Sequence, residues 1–153
     1  MKILILCTGN TCRSQMAEGY LQHLDSSLEV YSAGVEPGNG VNPFAVKVMK
    51  EKNIDISGRR SNDVGEFIDK KFDYVITVCD HARETCPVFT GEVKNQLHIG
   101  FEDPAEFKGK DDAVLNKYRE VRDLIFKELG EWYRSIVKEK SKISPVGWDK
   151  GDM

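Results

Sequence analysis

The order of apolar and polar residues predicts an α/β fold, three layers deep: a small, about four-stranded parallel sheet between helices on both faces. Three observations carry that expectation. Short apolar runs, beginning with Ile3-Leu4-Ile5-Leu6, alternate along the chain with segments of helical period. Tyr74-Val75-Ile76-Thr77-Val78 is unalternating and β-branched, as a strand buried on both faces should be. The first run ends in a cysteine and a glycine-bearing loop that opens directly into a helix-patterned segment. Strands and helices in strict alternation favour parallel pairing through right-handed crossovers.

The elements follow in order. Ser14 to Asp25 carries Met16, Ala17, Tyr20, Leu21 and Leu24 at helical spacing, with Gln15, Glu18 and Gln22 on other faces. Leu28 to Ser32 is the second strand, and Pro37-Gly38 and Asn39-Gly40 mark the loop after it. Asn42 and Pro43 form an N-cap and first helical position for a helix running to about Lys52, with Asn53 as its stop. Ile54 to Ser61 is irregular and Asp63 to Lys70 a short helix. Cys79 ends the third strand, and Gln96 to Ile99 is a fourth, leading into Gly100-Phe101-Glu102-Asp103-Pro104. Val114, Tyr118, Val121, Ile125, Leu129, Trp132 and Ile136 define the last helix, which Asp111 and Asp112 precede on the side that suits its dipole. Residues 1–138 form one domain. Residues 139–153, broken by Pro145, Gly147 and Gly151, are a polar tail that Trp148 anchors.

At 153 residues the chain suits one core, burying about 70 % of its unfolded surface. A net charge of −3 offers no global attraction for nucleic acid or anionic lipid, so any anion must be held by a local field. No run approaches the ~20 apolar residues of a membrane span. The N-terminus lacks a secretory pattern, which makes the cytoplasm the expected compartment and four cysteines there catalytic or metal-binding rather than a static staple.

The chemistry gathers at Cys7-Thr8-Gly9-Asn10-Thr11-Cys12-Arg13-Ser14. A strand–loop–helix turn curls its N–H groups inward, and the helix adds its positive end, making a cup for a tetrahedral oxyanion. Gly9 frees the backbone to curl, and Arg13 offers a bidentate fork to two oxygens. Cys7 lies beneath the cup, where that field favours thiolate over thiol. Thr8 through Arg13 are thus the oxyanion-binding set and Cys7 the nucleophile.

Cys, five residues, then Arg-Ser resembles the signature of the low-molecular-weight protein tyrosine phosphatases, and more closely that of the thioredoxin-coupled arsenate reductases that share their fold. The resemblance spans Met1 to about Ile136. It implies catalytic roles for Cys7, Arg13 and Ser14, and a general acid at Asp103, which would protonate the departing oxygen. It also implies that Cys79 and Cys86 carry a relay: Cys7 attacks arsenate, Cys79 attacks Cys7 and releases arsenite, and Cys86 attacks Cys79. Thioredoxin then reduces the Cys79–Cys86 disulfide, so no cofactor is tightly bound. Cysteines ending adjacent strands can meet, since strands lie about 4.8 Å apart, and Cys7 and Cys79 are candidates. Were the stretch to Cys86 helical, its Cα would stand about 10 Å from that of Cys79, so that disulfide requires unwinding.

The competing readings are a tyrosine phosphatase that leaves Cys79 and Cys86 idle, a non-catalytic anion-binding module, inert buried thiols, and a zinc site with His81. Zinc lacks a C-x-x-C and a second ligand pair. His23 and His98 have no evident partners, and Cys12 is not essential to the relay. No metal is expected, although some reductases of the group it resembles hold a potassium ion beside the loop through the equivalents of Asn10, Glu18 and Ser32. Asn62 stands where an aspartate is expected, and the missing charge counts against that site. The expected partners are an arsenate- or phosphate-like oxyanion and thioredoxin, with the chain monomeric.

Overall fold

A computed structural model of the chain describes residues 1–143. Four parallel strands form one sheet in the order β2-β1-β3-β4, with β1 Lys2–Cys7, β2 Glu29–Gly34, β3 Phe72–Thr77 and β4 Val93–His98. Ile3, Leu4, Ile5 and Leu6 are all wholly buried, so β1 reads as a continuous apolar run because both of its faces are covered. The chain leaves β1 to one side for β2 and returns across it for β3. That reversal places a crevice beyond the carboxyl end of β1, where Cys7 lies.

Among the described residues four α-helices accompany the sheet: α1 Arg13–Leu24, α2 Pro43–Lys50, α3 Asp80–Glu84 and α4 Asp111–Ile143. Helix α4 packs against both α1 and α2, burying Tyr118, Val121, Ile125 and Leu129 on the apolar stripe that its sequence spacing sets. Helix α2 begins as its sequence implies, with Asn42 Oδ1 accepting from Phe44 N–H at 2.9 Å and Pro43 at the first position. Its end is marked by Asn53 at φ 62°.

Three expectations need correction. The Asp63–Lys70 segment holds only one 3₁₀ turn, Val64–Glu66, opened by a capping box between Asp63 and Glu66, with Asp63 tied to Gly34 by a parallel bridge. Strand β4 begins three residues earlier than read, at Val93. It is an edge strand whose Lys94, Asn95 and Gln96 face solvent, which hides it from a search for apolar residues. Helix α4 continues to Ile143, past the expected start of the tail. The expectation for Trp148 lies outside the described residues.

Candidate active site

The loop from Cys7 to Cys12 is shaped by where its carbonyls go. Those of Cys7, Thr8, Gly9 and Thr11 accept from the N–H groups of Val35, Glu36, Gly38 and Asn42, at 2.9 to 3.1 Å. The carbonyl of Asn10 accepts from Gln15 Nε2 and Ser61 Oγ, both at 3.1 Å. In a trans peptide the C=O of one residue and the N–H of the next point oppositely. Carbonyls turned outward therefore turn the N–H groups of residues 8 to 12 inward, and helix α1 adds its positive end. The neighbouring chain must come very close. A Cβ on Gly34 would stand 2.5 Å from Thr8 O, so only glycine fits there.

Gly9 has no such constraint, contrary to expectation: a Cβ on it would meet only the Thr11 side chain, at 3.6 Å. The left-handed residue of the loop is Asn10, at φ 56°. That conformation costs about 1 kcal/mol, least for asparagine and aspartate among residues with a Cβ. It is over-determined here. Asn10 is wholly buried, its Nδ2 donates to Ser14 Oγ at 2.8 Å and Ser32 Oγ at 2.9 Å, and its Oδ1 accepts from Asn62 N–H at 2.8 Å and Gln15 Nε2 at 3.2 Å. Helical periodicity puts Gln15 off the apolar face, yet it is buried and braces the loop, as do Ser61 and Asn62. Periodicity registers burial by apolar neighbours, not burial by a polar loop. Ser14 likewise supports Asn10, its Oγ accepting from Asn10 Nδ2.

Arg13 crosses the mouth of the cup. Its NH1 donates to Phe101 O at 3.0 Å and its NH2 lies 3.5 Å from Asp103 Oδ2, while its buried Nε has no partner among the described residues. Asp103 also caps the turn after it, Oδ1 accepting from Ala105 N–H at 3.0 Å. Thr8, Arg13, Cys79, His81, Phe101 and Asp103 line a cavity of about 890 Å³ over this floor. The loops after β1, β3 and β4 thus meet at one sheet edge.

The two central sulfurs depart from the sequence reading. Cys79 is the N-cap of α3: its Sγ accepts from Ala82 N–H at 3.4 Å and stands 3.2 Å from Thr8 Oγ1. The Cys7 thiol donating to it is the foremost influence that brings Cys79 down to about 5, with Thr8, Ala82 N–H and Arg13 helping against burial. Cys7 is pushed up by that same hydrogen bond and by burial, which outweigh Arg13 and the Asn10 N–H. Within the pair Cys79 is thus pushed down and Cys7 up. Cys86 lies half-buried beyond the C-cap of α3, and burial raises its thiol. All four cysteines are free. Cys12 is buried against Tyr118, with its sulfur 3.8 Å from the phenol oxygen. His81 and His98, the latter unpartnered by sequence, hold α3 at both sides: His81 Nε2 is 2.6 Å from Glu36 Oε2, and His98 Nε2 is 3.1 Å from Asp80 Oδ1.

The implied potassium site does not fit this arrangement. A hard cation needs lone pairs turned toward it. Here Asn10 presents its amide N–H₂ to Ser32, Ser32 Oγ donates to Glu18 Oε1 at 2.6 Å, and Glu18 Oε2 accepts from Arg59 NH1 at 2.9 Å. Asn62 Nδ2 donates to Ser32 O at 3.0 Å.

Residues 2–142 match the family described as low molecular weight phosphotyrosine protein phosphatase. The arsenate reductase of Halalkalibacterium halodurans is 48% identical over 128 residues, spanning 83% of this chain and 91% of that protein. That of Bacillus subtilis is 45% identical over 131 residues, 85% of this chain and 93% of that one. Among solved structures, an arsenate reductase in its phosphate-binding state has TM-score 0.71 and 32% identity, covering 88% of this chain and 98% of that one.

Proposed function

The chain belongs to the low molecular weight phosphotyrosine protein phosphatase family, on the side of its arsenate reductases, and from that membership we propose that it reduces arsenate through a relay of Cys7, Cys79 and Cys86. The observation that carries this reading is a second cysteine at the anion cup: Cys79 Sγ stands 3.2 Å from Thr8 Oγ1, next in sequence to Cys7, and lines the same cavity as Arg13 and Asp103. A phosphatase needs Cys7, Arg13 and Asp103 but has no use for a second thiolate in that place.

Arsenate is held by the inward N–H groups and Arg13. Cys7 loses its proton along its hydrogen bond to Cys79 and attacks arsenic, while Asp103 protonates the oxygen that leaves as water. Cys79 gives that proton up to solvent and, again a thiolate, attacks the Cys7 sulfur. The electron pair of the S–As bond stays on arsenic, which becomes As(III) and departs as arsenite, leaving a Cys7–Cys79 disulfide. Cys86 then attacks Cys79 and frees Cys7 as a thiolate. The resulting Cys79–Cys86 disulfide takes two electrons from thioredoxin. Unwinding of the five-residue α3 brings Cys86 to Cys79.

The test is arsenate-dependent NADPH oxidation with thioredoxin and thioredoxin reductase. Oxidation that stops in Cys7→Ser supports the reading. Hydrolysis of a small aryl phosphate without any arsenate-driven oxidation would return the chain to the phosphatases.

A further inference from the structure

We propose that Arg59 is a built-in cation for the anion loop, so that this chain needs no alkali metal where the resemblance implies potassium. The observation is a continuous hydrogen-bonded line. Arg59 NH1 donates to Glu18 Oε2 at 2.9 Å, Ser32 Oγ donates to Glu18 Oε1 at 2.6 Å, and Asn10 Nδ2 donates to Ser32 Oγ at 2.9 Å. Every donor in that line points toward the carboxylate, and its far end is the left-handed residue that curls the loop.

The Glu18 carboxyl is shielded, its side chain 19% exposed, and burial raises its pKa more than Ser32 and Arg59 lower it. A shielded carboxylate needs a positive partner, and Arg59 supplies one already tethered. The next pair along, Arg60 with Glu66, is a contrast: its side chains are 71% and 44% exposed and touch no loop residue. Asn62 agrees with this assignment. With a guanidinium present, a second carboxylate is unnecessary, and the neutral amide instead donates to Ser32 O. Arg59 is thus a positioning residue. It acts through Glu18, Ser32 and Asn10 on the amides that receive the oxyanion.

The inference rests on the loop being the anion site but not on the thiol relay, and its test uses equilibrium sulfate binding, which needs no turnover. Calorimetric titration with sulfate is run at constant ionic strength in KCl and in tetramethylammonium chloride, whose cation is too large to coordinate. Wild type should bind equally in both. Arg59→Ala should bind roughly two- to thirtyfold more weakly in tetramethylammonium chloride. It should recover affinity in KCl, because the uncovered Glu18 then recruits the ion. Arg59→Lys should bind as wild type does, since one ammonium N–H can replace the single NH1 contact, and Arg60→Ala should be unaffected. Stronger binding by wild type in KCl would overturn the proposal, even were Arg59→Ala not to fold. So would an Arg59→Ala protein that binds like wild type or that KCl leaves unimproved.

Discussion

At the residue scale, Cys79 is the more acidic of the two central thiols. Cys79 titrates near 5 because the Cys7 thiol, Thr8 and the α3 N-terminus all serve its charge. Alkylation of Cys79 by iodoacetamide, followed by peptide mapping from pH 4 to 9, should therefore show half its plateau rate near pH 5. An ordinary thiol reaches that point near 8.5. An inflection near 8.5 at Cys79 would place the resting thiolate elsewhere. Asp103 has a separable role. Asp103→Asn should slow turnover by roughly 10²–10⁴-fold, while sulfate affinity holds or improves, because a carboxylate 3.5 Å from Arg13 competes with the anion for it. Collapse of sulfate binding would make Asp103 a brace of the mouth rather than a proton donor.

At the scale of elements, α3 is a spacer that must open. It is five residues long, capped by Cys79 and held laterally by Asp80–His98 and His81–Glu36. Cys86→Ser should release one arsenite per chain and stop as a Cys7–Cys79 disulfide, identified by non-reducing peptide mapping. Sustained thioredoxin-dependent turnover would remove Cys86 from the chemistry. The α2–α4 contact depends on a different device. Glu51, at the C-cap of α2, takes Arg119 at 2.8 Å and the buried Arg122 at 2.8 Å. Arg119 foremost, then Arg122, lower its pKa from 4.5 to about 2. A depressed carboxyl stabilises the fold above its unfolded pKa, and that contribution fades as pH falls from 4.5 toward 2. Glu51→Gln should cost about 1 kcal/mol at pH 7, given the exposure of the pair. The gap in Tm between wild type and variant should narrow across that acid range, and a gap that persists to pH 2 would mean that packing, not charge, is lost.

For the whole molecule, the cup is a joint product of β1, α1, the 35–42 segment and the turn after β4, so an anion bound there stabilises the global fold. Sulfate at a hundred times its Kd should add about 2.7 kcal/mol, or roughly 5–10 °C in Tm for a domain of this size. Arg13→Ala should lose most of that increment in a thermal shift measurement. A shift that survives would locate the anion elsewhere. No helix among the described residues is long and apolar enough to cross a membrane.

The amino-acid sequence alone determined the parallel sheet, the Asn42-Pro43 helix start, the stripe of α4 and the loop between Cys7 and Ser14. Each rests on local spacing, on a cap or on one run of residues, which is what a linear pattern can hold. It did not determine that the acidity of Cys79 is favoured, because that depends on Thr8 and the Ala82 N–H converging on its sulfur. Nor did it reveal that Gln15 is buried, that Asn10 rather than Gly9 makes the turn, or that Glu18 meets Arg59 across 41 residues. These are long-range polar contacts without a period. Only the tertiary structure decided them, since a polar side chain's role is set by which donors and acceptors folding places within about 3 Å of it.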